Sequence, residues 1–68
     1  MEDWQQRVFE EREELRRKIS KLRGMLSSQV YEKLDDMDQL LLCRQERAMT
    51  TYQDILSERI ARFNEVPK

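Results

Sequence analysis

Between Leu41 and Phe63 the apolar residues Leu41, Leu42, Ala48, Met49, Tyr52, Ile55, Leu56, Ile60 and Phe63 fall at the spacing of one helix face. That band constrains the fold more than any other feature of the chain. Leu41, Ala48 and Ile55 widen it to one side, so a single neighbouring helix cannot cover it. The first half carries a narrower stripe of Val8, Leu15, Ile19, Leu22 and Leu26 at three- and four-residue steps. Two helices follow from these patterns, one over about residues 3–26 and one over about 36–63.

The boundaries have local chemical reasons. Glu2 and Asp3 stand at the start of the first helix, where the helix dipole favours carboxylates, and Lys21 and Arg23 stand near its end, where it favours cations. Ser27, Ser28 and Gln29 interrupt the pattern, and Val30 to Leu34 is expected to form a short turn of helix in an elbow over 27–35. Asp35 reads as the N-cap of the second helix, with Asp36 and Asp38 in the first turn. Asn64 and Pro67 mark its far end, and residues 65–68 are expected to fray. Gly24 falls on the outer face of the first helix, as a weak last turn or a bend. The elbow lets the two helices fold back as an antiparallel hairpin.

Length makes that hairpin marginal by itself. A chain of 68 residues is one domain, residues 1–68, and buries only about 60% of its unfolded surface. The reading is therefore all-α: a two-helix antiparallel hairpin with a short elbow helix, assembled into a homo-oligomeric helical bundle. Charged residues at 40% with a single Gly and a single Pro agree with long helices.

Composition also removes classes of function. Thirteen basic and fourteen acidic residues leave a net charge of −1, so generic nucleic-acid binding is not expected. No apolar run approaches the roughly 20 residues of a membrane span, and no signal-peptide pattern is present. One cysteine and no histidine exclude an intrachain disulfide and a zinc site of the usual kind, and fit a reducing cytosol. No His base, phosphate loop or nucleophile elbow appears, and Cys43 lacks an activating His. The expectation is a binding protein, without catalytic residues, cofactor or metal.

Polar residues inside the stripes point to what is bound. Arg12 extends the first stripe, and Gln45 and Arg59 interrupt the second. A guanidinium taken from water without a partner costs several kcal/mol, so each arginine must meet a carboxylate or open onto a bound anion. Glu11, Glu14, Glu46 and Glu58 are available for structural ion pairs, and polar seam residues also set helix register. The other reading is a ligand site at a subunit junction, because arginine forks grip phosphate. A basic band of Arg12, Arg16, Arg17, Lys18, Lys21 and Arg23 is either such a site or a solvated face balanced by acidic residues of another subunit. Trp4, Phe9, Tyr31 and Tyr52 serve either as packing at contacts or as platforms for a base.

The pattern WQQRVFEEREELRRKISKL, an elbow with Leu34, then LLLCRQERAMTTYQDILSERIARF resembles a widespread family of small phage proteins known by likeness to an open reading frame of a crAss-like phage. The matching positions are Arg7-Val8, Glu11, Leu15, Lys18-Ile19, Leu22, Leu41-Leu42, Gln45, Met49, Tyr52, Ile55-Leu56 and Arg59-Ile60. Arg16-Arg17 stand where that family commonly has an acidic residue, and Met25-Leu26 where it has an aromatic one. The layout is also similar to the helical sponge proteins with which phages sequester cyclic oligonucleotides of bacterial CBASS defence. That resemblance implies a homo-oligomer in the host cytoplasm that holds a cyclic di- or trinucleotide between subunits without cleaving it. Arg12, Lys18 and Arg59 are then expected on phosphates, Gln45 on a base edge and Tyr52 stacking or donating its hydroxyl. The alternative is a helical module that blocks or regulates a host protein.

Overall fold

A computed structural model describes residues 2–63. Three helices follow in order: α1 (Asp3–Leu26), α2 (Gln29–Glu32) and α3 (Asp36–Ala61). Among the described residues there is no strand, and the long helices α1 and α3 pack along each other. The molecule is a rod of 51 × 15 × 14 Å, two helices thick. Arg23 near the end of α1 meets Glu46 early in α3, and Phe9 near the start of α1 meets Phe63, so the pair is antiparallel.

Both ends of α1 and the starts of α2 and α3 are closed by side chains the local sequence supplies. The Gln5 amide oxygen accepts from the Glu2 backbone N–H at 2.9 Å, the reach-back half of a capping box. At the other end of α1 the Ser27 hydroxyl donates to the Arg23 carbonyl (3.0 Å) and the Ser28 hydroxyl to the Met25 carbonyl (2.6 Å). The Ser28 oxygen also accepts from the Tyr31 N–H, which caps α2. The elbow helix accordingly occupies Gln29–Glu32 and not Val30 to Leu34, because Ser28 starts it one residue early. Asp35 caps α3, its carboxylate accepting from the Asp38 N–H at 2.8 Å.

The elbow is tied to α3 by two side-chain bonds. The Gln39 amide donates to the Tyr31 carbonyl at 2.8 Å, and the Tyr31 hydroxyl lies 3.3 Å from Cys43 Sγ. That thiol contact, with some loss of solvent, raises the Tyr31 pKa above its usual 10.0. The far end of α3 stops at Ala61, short of the expected Phe63. There the Arg62 and Phe63 N–H groups turn back to the Arg59 and Ile60 carbonyls, three residues behind, which tightens the last turn. The expected stop at Asn64 and Pro67, and the fraying of 65–68, lie outside the described residues.

The core is small. Val8, Leu15, Ile19 and Leu22 of α1 and Leu56 of α3 are buried, with Met49, Ile60 and Phe63 packed against them. The open end is closed by aromatic rings: Phe63 stands edge-on to Trp4 at 5.1 Å and to Phe9 at 5.8 Å. The other apolar residues of α3 divide in a way the single band did not anticipate. Leu42, Met49, Ile60 and, just past the end of α3, Phe63 are half-buried, whereas Leu41, Ala48, Tyr52 and Ile55 are exposed.

Candidate functional site

Arg12 is the polar residue that the hairpin draws inward. Its side chain is only 20% exposed, on the α1 face that carries Val8 and Leu15. The guanidinium lies over the Phe9 ring, 5.6 Å from its centre, and so gains the attraction of a cation for a π face. One terminal nitrogen comes 3.9 Å from the Glu13 carboxylate, the outer limit of an ion pair. Its Nε is buried and has no hydrogen-bond partner among the described residues. A buried N–H without an acceptor costs about 1–3 kcal/mol, and only the part of the guanidinium that stays exposed is open to an anion.

The other four expected ligand residues are exposed: Lys18, Gln45, Tyr52 and Arg59. Gln45 and Arg59 thus lie outside the seam between α1 and α3, beside rather than within the hairpin core. The reason is angular: the α3 residues packed on α1 are each one position further along the chain, about 100° around the helix. The Gln45 amide approaches the Met49 sulfur at 3.8 Å, a weak contact. The side chains of Lys18, Tyr52 and Arg59 make no hydrogen bond or ion pair among the described residues.

No hydrogen bond or ion pair joins any two of these five side chains. The antiparallel register set by the Arg23–Glu46 and Phe9–Phe63 pairs does place Arg12 level with Arg59, and Lys18 level with Tyr52. Gln45, Tyr52 and Arg59 share one side of α3 over fourteen residues, about 21 Å of helix. Two open grooves run elsewhere, on α1. One is lined by Gln6, Phe9, Glu10, Glu13, Glu14 and Arg17, and the other by Glu2, Asp3, Trp4 and Arg7. Both carry more carboxylates than cations, which disfavours phosphate, and neither includes any of the five.

The basic band on α1 is partly accounted for within the chain. Arg23 donates to the Glu46 carboxylate at 2.9 Å and to the Thr50 hydroxyl at 3.3 Å, while Thr50 donates to Glu46 at 3.1 Å. The guanidinium first, then the hydroxyl, holds the Glu46 carboxyl below its usual 4.5. Arg16 pairs with Glu13 at 3.6 Å. The balancing carboxylates for Arg16 and Arg23 therefore come from the same chain. Sequence reasoning missed the Arg12–Phe9 stack; their three-residue spacing, which sets neighbours on a helix surface, was the available signal.

These features define a small all-α hairpin with an unsatisfied inward arginine and a half-apolar, half-polar outer helix face. By its sequence the chain belongs to the Sequestin family, whose profile matches residues 2–62. No curated protein matches it. No solved structure matches it either.

Proposed function

We propose that this chain is a phage-encoded sponge acting in the host cytoplasm: a homo-oligomer that binds a cyclic nucleotide immune messenger and holds it intact. The family name supports sequestration of some partner. The observation that carries the choice of an anionic ligand is the inward Arg12 guanidinium, held over Phe9, with one carboxylate beside it at 3.9 Å and part of its side chain still open to solvent. A phosphate oxygen is the acceptor that guanidinium geometry fits best. Purine bases add stacking area on Tyr52, and the Gln45 amide offers a donor and an acceptor to a base edge. Lys18 and Arg59 supply further positive charge at the levels of Tyr52 and Arg12.

A site spread along the outside of one hairpin encloses no ligand, and a nucleotide-sized guest needs most of its surface covered for tight binding. Assembly of several copies supplies that cover, which is why the sponge reading and the oligomeric reading go together. No chemistry is assigned to the site: sequestration requires binding and slow release, not bond cleavage.

Calorimetric titration of the purified chain against cyclic di- and trinucleotides and linear adenine nucleotides tests the proposal, with recovery of the bound compound after denaturation. Saturable binding and recovery of unaltered ligand are expected for at least one cyclic compound. Replacing Arg12 with Leu is expected to weaken it tenfold or more while leaving the hairpin as stable or slightly more so. Absence of binding across the panel, or recovery of a cleaved product, removes the proposal.

A further inference from the structure

Along α3 the residues Leu41, Gln45, Ala48, Tyr52, Ile55 and Arg59 recur in alternating steps of four and three, and every one is exposed. One position on, Leu42, Glu46, Met49, Gln53, Leu56 and Ile60 repeat the same steps, and every one is half-buried or buried. The two stripes lie about 100° apart on the helix. The inner stripe faces α1. The outer one has coiled-coil spacing but no helix over it. Leu41 and Ile55 are each 49% exposed and Tyr52 42%, and Met37 at 61% extends the apolar surface at the start of the helix.

We propose that the outer stripe of α3 docks on the α3 of a second copy, antiparallel, about a two-fold axis close to Thr51. The inference deepens the homo-oligomeric part of the function proposed above and rests on it, though not on any ligand; it puts Gln45, Tyr52 and Arg59 at the junction of the two copies, where a ligand meets only the edges of these side chains. A two-fold interface must be complementary to itself, which is a demand no unrelated partner makes. The outer face meets that demand three times.

The first case is flanking charge. Arg44, Thr51 and Glu58 recur every seven residues on the side of the stripe away from α1, and all three are exposed. Antiparallel pairing sets Arg44 of each copy against Glu58 of the other and brings the two Thr51 residues together on the axis. The second is size: the same register layers small Ala48 against large Tyr52 of the second copy, once on each side of the axis. The third is the ends of the helix. α3 begins with Asp35, Asp36 and Asp38 and closes with Arg59 and Arg62, so opposite charges meet at both ends of an antiparallel pair. A parallel pair would set Arg59 against Arg59 inside the seam and acid against acid at the start.

Cross-linking and sedimentation of the full-length chain test this, in a Cys43→Ser background for the cysteine variants. Thr51→Cys is expected to form a disulfide-linked dimer on mild oxidation. Arg44→Cys and Glu58→Cys are expected to link to each other when mixed but not each to itself. Arg44→Glu or Glu58→Arg alone is expected to raise the dimer dissociation constant about tenfold, and the double reversal to restore it to within a few-fold. Ile55→Asp is expected to leave the circular dichroism of the hairpin unchanged and abolish the dimer. A chain monomeric at every concentration overturns both the interface and the homo-oligomeric reading. A dimer that survives Ile55→Asp, or that links Arg44→Cys to itself, overturns this interface alone.

Discussion

The two long helices are nearly equal in length, 24 residues in α1 and 26 in α3, yet four α1 side chains are buried against one in α3. α1 spends most of its apolar residues on one stripe, packed along α3. α3 divides a similar supply between two stripes, and only the inner one finds a neighbour within the chain. The difference teaches what each helix is for. α1 is the scaffold of the hairpin, and its one inward polar group, Arg12, is a candidate contact for a ligand. α3 holds the hairpin with one side and presents the other, with Gln45, Tyr52 and Arg59, to whatever lies outside.

The sharpest way to break that comparison uses two adjacent residues. Leu56 is fully buried and Ile55 is 49% exposed. Leu56→Ala is expected to destabilise the hairpin by about 2–5 kcal/mol, enough to unfold much of so small a chain. Ile55→Ala is expected to change hairpin stability by no more than about 0.5 kcal/mol. Thermal melts of the two variants at low protein concentration check both. Equal losses would mean that α3 does not have two distinct faces.

Smaller effects sharpen the comparison at the helix ends and along the outer face of α1. Asp35→Ala removes the carboxylate that accepts from the Asp38 N–H, and is expected to cost about 1 kcal/mol in a urea titration. Gly24 lies inside α1 with nothing within 4 Å of where a Cβ would stand. Gly24→Ala is therefore expected to stabilise the chain by about 0.5–1 kcal/mol, a rise in melting temperature of a few degrees. No gain there would mean that the outer face of α1 is also covered.

The smallest effect concerns the bond between the helices. Arg23 and Thr50 lower the Glu46 pKa in the folded chain, so their contribution is complete above the usual value of 4.5 and is lost as pH falls through the folded value. Melting temperature is expected to dip slightly on acidification below about pH 4.5, and Glu46→Gln to flatten that part of the dip. The pair is on the surface, so high salt is expected to shrink the difference further.

Much of this was legible from residue order because it is local. Helical spacing marked both long helices, and Asp35 followed by Asp38 marked the start of α3, since caps and propensities act within one turn. The width of the α3 band was legible too, and the half of it that α1 leaves uncovered is exposed. Membership of the Sequestin family likewise comes from the sequence.

Only tertiary packing decided which half of that band turned inward. Gln45 and Arg59 share a face with Leu41 and Ile55 in the sequence, and nothing local states whether α1 covers that face or the one beginning at Leu42. Packing chose the latter: it alone brings Met49, Leu56, Ile60 and Phe63 onto Val8, Leu15 and Ile19 while letting Arg23 reach Glu46. The same choice left Arg12 over Phe9 with its Nε unanswered. Periodicity fixes which side chains travel together around a helix, but burial is settled between helices, where shape and charge must match at a distance along the chain.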